Sequence, residues 1–183
     1  MTRRLPVGWL IALAFASAAI ALPSHAANGE VDRVQQIKAA YLYNFARFVT
    51  WPSGKMSAPD QPIEFCVLER DPLAPALDEV LQGKSIDTER VVVRHLQRVE
   101  DMRSCHVAYL GGVDAARLPA ALDALAGAGV LTVYEGDQTM NTGAIRFFLE
   151  ERKVRFEVNL PVARREHLEL SSRLLNVARV IQE

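Results

Sequence analysis

Cysteine is scarce in this chain, with Cys66 and Cys105 the only two among 183 residues. Their small, even number frames one disulfide question rather than many. An excess of positive charge is also lacking. The 21 Lys+Arg stand against 22 Asp+Glu and are interleaved with them, so the clustered basic charge that a phosphate backbone requires is absent, and nucleic acid is excluded as a partner. Long apolar runs are missing after residue 26, and a bilayer-crossing helix needs roughly 20 such residues. Catalytic signatures are missing as well. His95, His106 and His167 lie far apart and lack the His-x-x-x-His or Cys-x-x-Cys spacing that preorganises metal ligands, so no metal is expected. There is no Gly-x-Ser-x-Gly elbow, and Glu150-Glu151 reads as a solvated turn. Gln82-Gly83-Lys84-Ser85 imitates the end of a phosphate-binding loop, but Asp78 stands where that motif's first glycine belongs. A glycine closing a helix is the better account. The full G-x-G-x-x-G fingerprint is absent around Gly111-Gly112. No cofactor and no enzymatic activity are expected.

What is present begins with a leader. Arg3 and Arg4 precede an apolar run from Val7 to Leu22, and Pro23-Ser24-His25-Ala26 offers small residues for cleavage. Residues 1–26 read as a secretory signal peptide and residues 27–183 as a single mature domain with a periplasmic destination. In an oxidising compartment two cysteines tend to pair, so a Cys66–Cys105 disulfide is predicted. Closing that loop would contribute on the order of 4 kcal/mol through the unfolded chain's entropy.

Half the side chains are hydrophobic, enough for an ordinary core. Val34, Ile37, Tyr41, Phe45 and Phe48 recur at helical spacing, which predicts a helix over about 30–50 that ends before Pro52. Ile63–Leu68, Val91–Leu96, Cys105–Leu110 and Val130–Tyr134 read as strands. Helices are expected from Asp71-Pro72 to Gly83 and from Asp114 to about Gly127. This alternation predicts a parallel βαβ sheet covered on both faces. Ala144–Leu149 and Val154–Leu160 then form an antiparallel hairpin at a sheet edge, Pro161 starts a helical turn, and a closing helix runs from about Ser171 through Ile181. The expected fold class is therefore α/β, a compact Rossmann-like sandwich whose mixed sheet is flanked by helices and finished by that hairpin and helix.

Tyr43 and Trp51 fall off the aromatic stripe and are candidates for an exposed partner surface. Arg155, Glu157 and Asn159 form the polar face of the last strand and are the other candidates. A soluble small-ligand-binding protein is the alternative. Its site would lie at the carboxyl ends of the strands near Arg70, Gly111-Gly112 and Glu135.

Taken together, Lys38-Ala39-Ala40-Tyr41-Leu42-Tyr43-Asn44-Phe45 with Phe48, Trp51 and Pro52, then Phe65-Cys66-Val67-Leu68, Gly83-Lys84, Cys105-His106-Val107, Val130-Leu131-Thr132-Val133, Arg155-Phe156-Glu157-Val158-Asn159-Leu160 and Leu170-Ser171-Ser172-Arg173-Leu174-Leu175 resemble the YfiR family. The resemblance implies an α/β sandwich acting as a periplasmic repressor. Such a protein binds the periplasmic sensor region of an inner-membrane diguanylate cyclase, holds down cyclic-di-GMP synthesis and thereby affects biofilm formation. It also implies sequestration by an outer-membrane OmpA-like lipoprotein and ties the redox state of Cys66 and Cys105 to stability; a homodimer is a further expected partner arrangement. Two departures stand out. The segment Tyr134 to Gly143 lacks the Pro-Gly-Phe of many relatives, and the second cysteine pair found in some of them is absent.

Overall fold

A computed structural model describes residues 25–55, 61–137 and 142–182. The leader lies outside the described residues except for its last two positions, and parts of the loops before Ile63 and after Glu135 lie outside them too.

Helix α1 (His25–Arg47) is the long amphipathic element the periodicity predicts. Its buried stripe is centred on Lys38, Ala39, Leu42, Phe45 and Ala46. Ile37, at 39% exposure, falls outside that stripe, which is turned toward Leu42 from the aromatic spacing read in the sequence. Strand β1 (Val49–Thr50) follows, then β2 (Ile63–Leu68). Helix α2 (Ala74–Leu81) starts three residues later than the sequence suggests. Asp71 still organises its approach, because the carboxylate accepts the Leu73 N–H at 2.8 Å, while Pro75 occupies the first turn. Gly83, at φ +68°, closes the helix in the left-handed conformation that glycine adopts freely. The Lys84 N–H then bonds the Leu81 carbonyl at 3.0 Å. Strands β3 (Ser85–Ile86) and β4 (Glu89–Leu96), a 3₁₀ helix (Val99–Ser104), β5 (Val107–Tyr109), α3 (Leu118–Leu125) and β6 (Leu131–Glu135) complete the first half.

The second half holds β7 (Ile145–Glu150), β8 (Lys153–Asn159), α4 (Leu160–Arg165), β9 (Glu169–Leu170), α5 (Ser172–Leu175) and β10 (Arg179–Ile181). Eight strands form one mixed sheet in the order β10-β8-β7-β6-β5-β2-β4-β3. The pairs β7–β8 and β3–β4 are antiparallel and the others parallel. β1 and β9 make a separate two-stranded ribbon, with Val49 opposite Leu170.

The antiparallel hairpin is present but is not an edge, because β10 lies outside β8 with Val180 opposite Val158. The closing helix is correspondingly short. Leu174, Leu175, Ala178 and Ile181 have helical spacing, yet only four residues are helical. The β-branched Val180 and Ile181 continue as a strand that pairs with the open side of β8, so tertiary pairing outweighs a short local period.

Each sheet face carries its own core. The first joins α1, α2 and α4 residues to Phe65, Val67, Val107, Leu131, Phe147 and Phe156. The second joins Cys66 and Cys105 to Met102, Leu118, Leu122, Leu125 and Tyr134.

Candidate functional site

The chain leaves β2 toward β4 on one side and returns to β5 on the other, so a topological switch lies between β2 and β5. In open α/β sheets a crevice there receives ligands, often phosphates on backbone amides. Here the protein fills the amide position itself. Asp71, which follows β2, accepts the Gly112 N–H on Oδ2 at 2.7 Å. A methyl group at Gly112 would run into that carboxylate, and one at Gly111 into the Tyr109 hydroxyl, so both glycines are needed for close approach. Tyr109 donates its hydroxyl hydrogen to Glu135, and Glu135 is also paired with Lys38 of α1 at 2.6 Å. Burial pushes the Asp71 carboxyl above its ordinary range despite its two backbone hydrogen bonds, and the Glu135 charge adds to the shift. Burial, then Glu135, pushes the Tyr109 hydroxyl far up, so it serves as a donor. Two carboxylates and one ammonium make this crevice a clamp between α1, the β2–α2 turn, β5 and β6. It disfavours an incoming anion.

Beside the clamp, on the α3 side, lies an open cavity of about 810 Å³ bordered by Leu68, Gly112, Val113, Arg98 and Arg117. Arg98 is held by Glu100 and Asp101 at 3.6 and 3.4 Å. Arg70 is exposed near the end of β2, as the ligand-binding alternative requires.

Cys66 and Cys105 are joined in a disulfide with 6.1 Å between their Cα atoms, buried at 1% and 0% exposure. The bond ties the middle of β2 to the residue before His106, as the sequence predicts. His106 is fully buried, and its Nδ1 accepts the Glu64 N–H at 3.0 Å, so the neutral ring carries its proton on Nε2. Burial lowers the His106 pKa, and the neighbouring Lys55 charge adds to this. Lys55 donates to the carbonyls of Arg103 and Ala128 at 2.7 and 2.9 Å. Among the described residues, no group of three or more His, Cys, Asp or Glu is gathered as metal ligands.

The five surface candidates separate into two kinds. Trp51 is buried at 8% exposure in the first core, with Nε1 donating to the His106 carbonyl at 3.1 Å and its ring meeting the His106 ring edge-on, so it does not fall off the core as the helical spacing suggests. Glu157 is buried at 5%, facing Arg146 at 3.1 and 3.3 Å. Asn159 is buried at 7% and caps α4 by accepting the Val162 N–H. The polar strand face is thus not uniformly solvated, because strand neighbours and the α4 turn cover its far end. Arg155 remains exposed, 3.6 Å from Glu150. Tyr43 is half-buried, with its hydroxyl donating to the Ser85 carbonyl at 2.8 Å.

A family model described as YfiR/HmsC-like matches residues 35–179, nearly the whole described fold. The chain belongs to the YfiR/HmsC-like family. No curated protein matches it. The matched stretch of this YfiR/HmsC-like chain holds both cores, the disulfide and the clamp. Membership supports a regulatory role in cyclic-di-GMP signalling in general terms. Among the described residues, no helix is long and apolar enough to cross a membrane.

Sequence reasoning missed two arrangements in this YfiR/HmsC-like domain. The Phe148 ring is contacted by both Arg146 and Arg179, whose guanidinium carbons are 4.8 and 4.6 Å from its centroid. The Tyr43 ring has Arg47 at 5.8 Å and Lys84 at 5.5 Å from its centroid. Only the four-residue spacing of Tyr43 and Arg47 was visible in the sequence, as a neighbouring pair on one helix face.

Proposed function

We propose that the chain is exported and acts as a periplasmic repressor, binding the periplasmic sensor region of an inner-membrane diguanylate cyclase and lowering cyclic-di-GMP synthesis. The observation that carries this reading is the YfiR/HmsC-like match over residues 35–179. The buried disulfide supports it, because such bonds persist in oxidising compartments. The self-filled crevice supports a binding role over a nucleotide-dependent one.

Repression from outside the membrane requires the repressor to bind the inactive state of the cyclase more tightly than the active one. Equal affinity would shift nothing, and a tenfold change in activity needs about 1.4 kcal/mol of difference. Sequestration by an OmpA-like outer-membrane lipoprotein would relieve repression by competing for the free repressor.

The test measures cyclic-di-GMP in a deletion strain complemented with the whole gene or with one lacking residues 1–26. Deletion raises the nucleotide, and only the exported form restores it. Unchanged nucleotide on deletion, with a membrane cyclase expressed, overturns the reading. The cavity of about 810 Å³ beside Gly112 favours small-ligand binding as a second reading. A ligand from a periplasmic extract that raises the melting temperature, and fails to do so after Ala121→Trp fills the cavity wall, would promote it.

A further inference from the structure

Three chain segments far apart in sequence converge at the C-terminal end of α1. Tyr43 and Arg47 come from its last turns, Ser85 and Asp87 from β3 and the turn after it, and Glu169 and Arg173 from β9 and the start of α5. Together they line a polar groove of about 620 Å³. The junction is fixed by backbone and side-chain bonds. Tyr43 donates to the Ser85 carbonyl at 2.8 Å, the Ser171 N–H donates to the Phe48 carbonyl at 2.9 Å, and Ser171 Oγ accepts the Arg173 N–H at 3.2 Å. Arg47 and Lys84 both lie against the Tyr43 ring, and Arg47 also lies 5.9 Å from the Phe48 ring. Among the described residues, Arg47, Lys84 and Arg173 make no ion pair with a carboxylate.

The contrast with the other cation–aromatic stack is informative. Around Phe148 the guanidiniums are already used, Arg146 by Glu157 and the Gly136 carbonyl, and Arg179 by Glu150. Around Tyr43 none of the cations is engaged in an ion pair, although Asp87 and Glu169 stand on the same groove. Stacking restricts the two long side chains, so a carboxylate that binds them loses less rotamer freedom in the process. Arg47 and Arg173 offer planar forks suited to carboxylates.

We propose that this groove is the docking surface for an acidic segment of the protein partner, with its carboxylates received by Arg47 and Arg173 in the groove and by Lys84, which lies beside it against the Tyr43 ring. The inference rests on the repressor reading and adds the contact surface and the partner's chemistry. Asp87 and Glu169 stand on the groove walls unpaired with these cations, so they repel acidic side chains at those two points and thereby fix the segment's register.

The test compares the wild type with the groove variant Arg47→Glu, Lys84→Glu, Arg173→Glu and with a control of equal charge change, Arg33→Glu, Lys153→Glu, Arg164→Glu. Circular dichroism melts establish that each is folded. A fluorescein-labelled hexaglutamate peptide is titrated by anisotropy at low and high salt. The expected result is salt-sensitive binding by the wild type and the control, weakened about tenfold or more in the groove variant. In the deletion strain the groove variant leaves cyclic-di-GMP high while the control restores it. Equal peptide binding by all three proteins, or full repression by a folded groove variant, overturns the docking proposal. Binding to phosphatidylglycerol vesicles without peptide binding overturns it in favour of a membrane surface. Failure of the wild type itself to repress overturns the repressor reading instead, and the peptide titration still decides the groove.

Discussion

The two faces of the sheet are held by different means. On the first, Tyr41, Phe45, Phe147 and Phe156 form an aromatic nest with ring centroids 4.8 to 5.9 Å apart under the long helix. On the second, a smaller cluster under α3 and the 3₁₀ helix contains the Cys66–Cys105 bond. A helix of 23 residues presents enough surface to bury by area alone. The second layer has two short elements and is secured by a covalent link that restricts the unfolded chain. Packing carries one face, and packing plus a staple carries the other.

The largest expected effect breaks the first face. Phe45 is fully buried at the centre of the nest, so Phe45→Ala removes aromatic contacts and opens a cavity, costing roughly 4 kcal/mol in a urea-unfolding measurement. Next comes the second face. Cys66→Ser with Cys105→Ser is expected to cost about 3 kcal/mol, and a thiol assay on the native wild type should find no free thiol. Because the sheet separates the two clusters, the losses should add to within about 0.5 kcal/mol when combined. A large interaction energy would mean that the faces share one core.

Legibility followed locality. The α1 helix, β2 and the disulfide could be read because their signals lie within a few residues or in a count of two cysteines. The glycine after α2 was readable too, since one left-handed turn needs only one residue. Strand β10 was not, because its pairing with β8 depends on an open edge more than twenty residues upstream. Glu157 looked solvent-facing by strand alternation, and only Arg146 across the hairpin and the covering chain explain its burial. The Tyr43 groove needs three distant segments, of which local pattern displays one.

A smaller effect should appear on acidification, at the point where the faces meet. Cys105 belongs to the second cluster, while the ring of His106 meets Trp51 of the first edge-on at 5.5 Å. The folded protein holds His106 neutral with its pKa lowered, whereas the unfolded chain takes up a proton near the ordinary value of about 6.5. The unfolded state therefore binds more protons, and stability present above that value is lost as pH falls through it toward the folded pKa. His106→Asn keeps an acceptor for the Glu64 N–H but cannot titrate. Its urea midpoint should fall less than that of the wild type between pH 7 and pH 5. Identical slopes would remove His106 as the cause.

The smallest effect sharpens the comparison at a helix start. α2 and α3 each begin with a proline in the first turn and no side-chain cap from the residue before it, whereas α4 is capped by Asn159, which accepts the Val162 N–H at 3.2 Å. Asn159→Ala leaves that donor without its acceptor and should cost about 1 kcal/mol. Asn159→Ser restores an oxygen at the cap and should recover most of the loss. Running both variants through the cyclic-di-GMP assay separates two roles for the residue. If Asn159 acts only by capping α4, repression should track stability, weak or normal with Ala and normal with Ser. If serine restores the melting temperature while repression stays lost, the amide itself contacts the partner, and the binding surface extends from the exposed Arg155 to the covered end of β8.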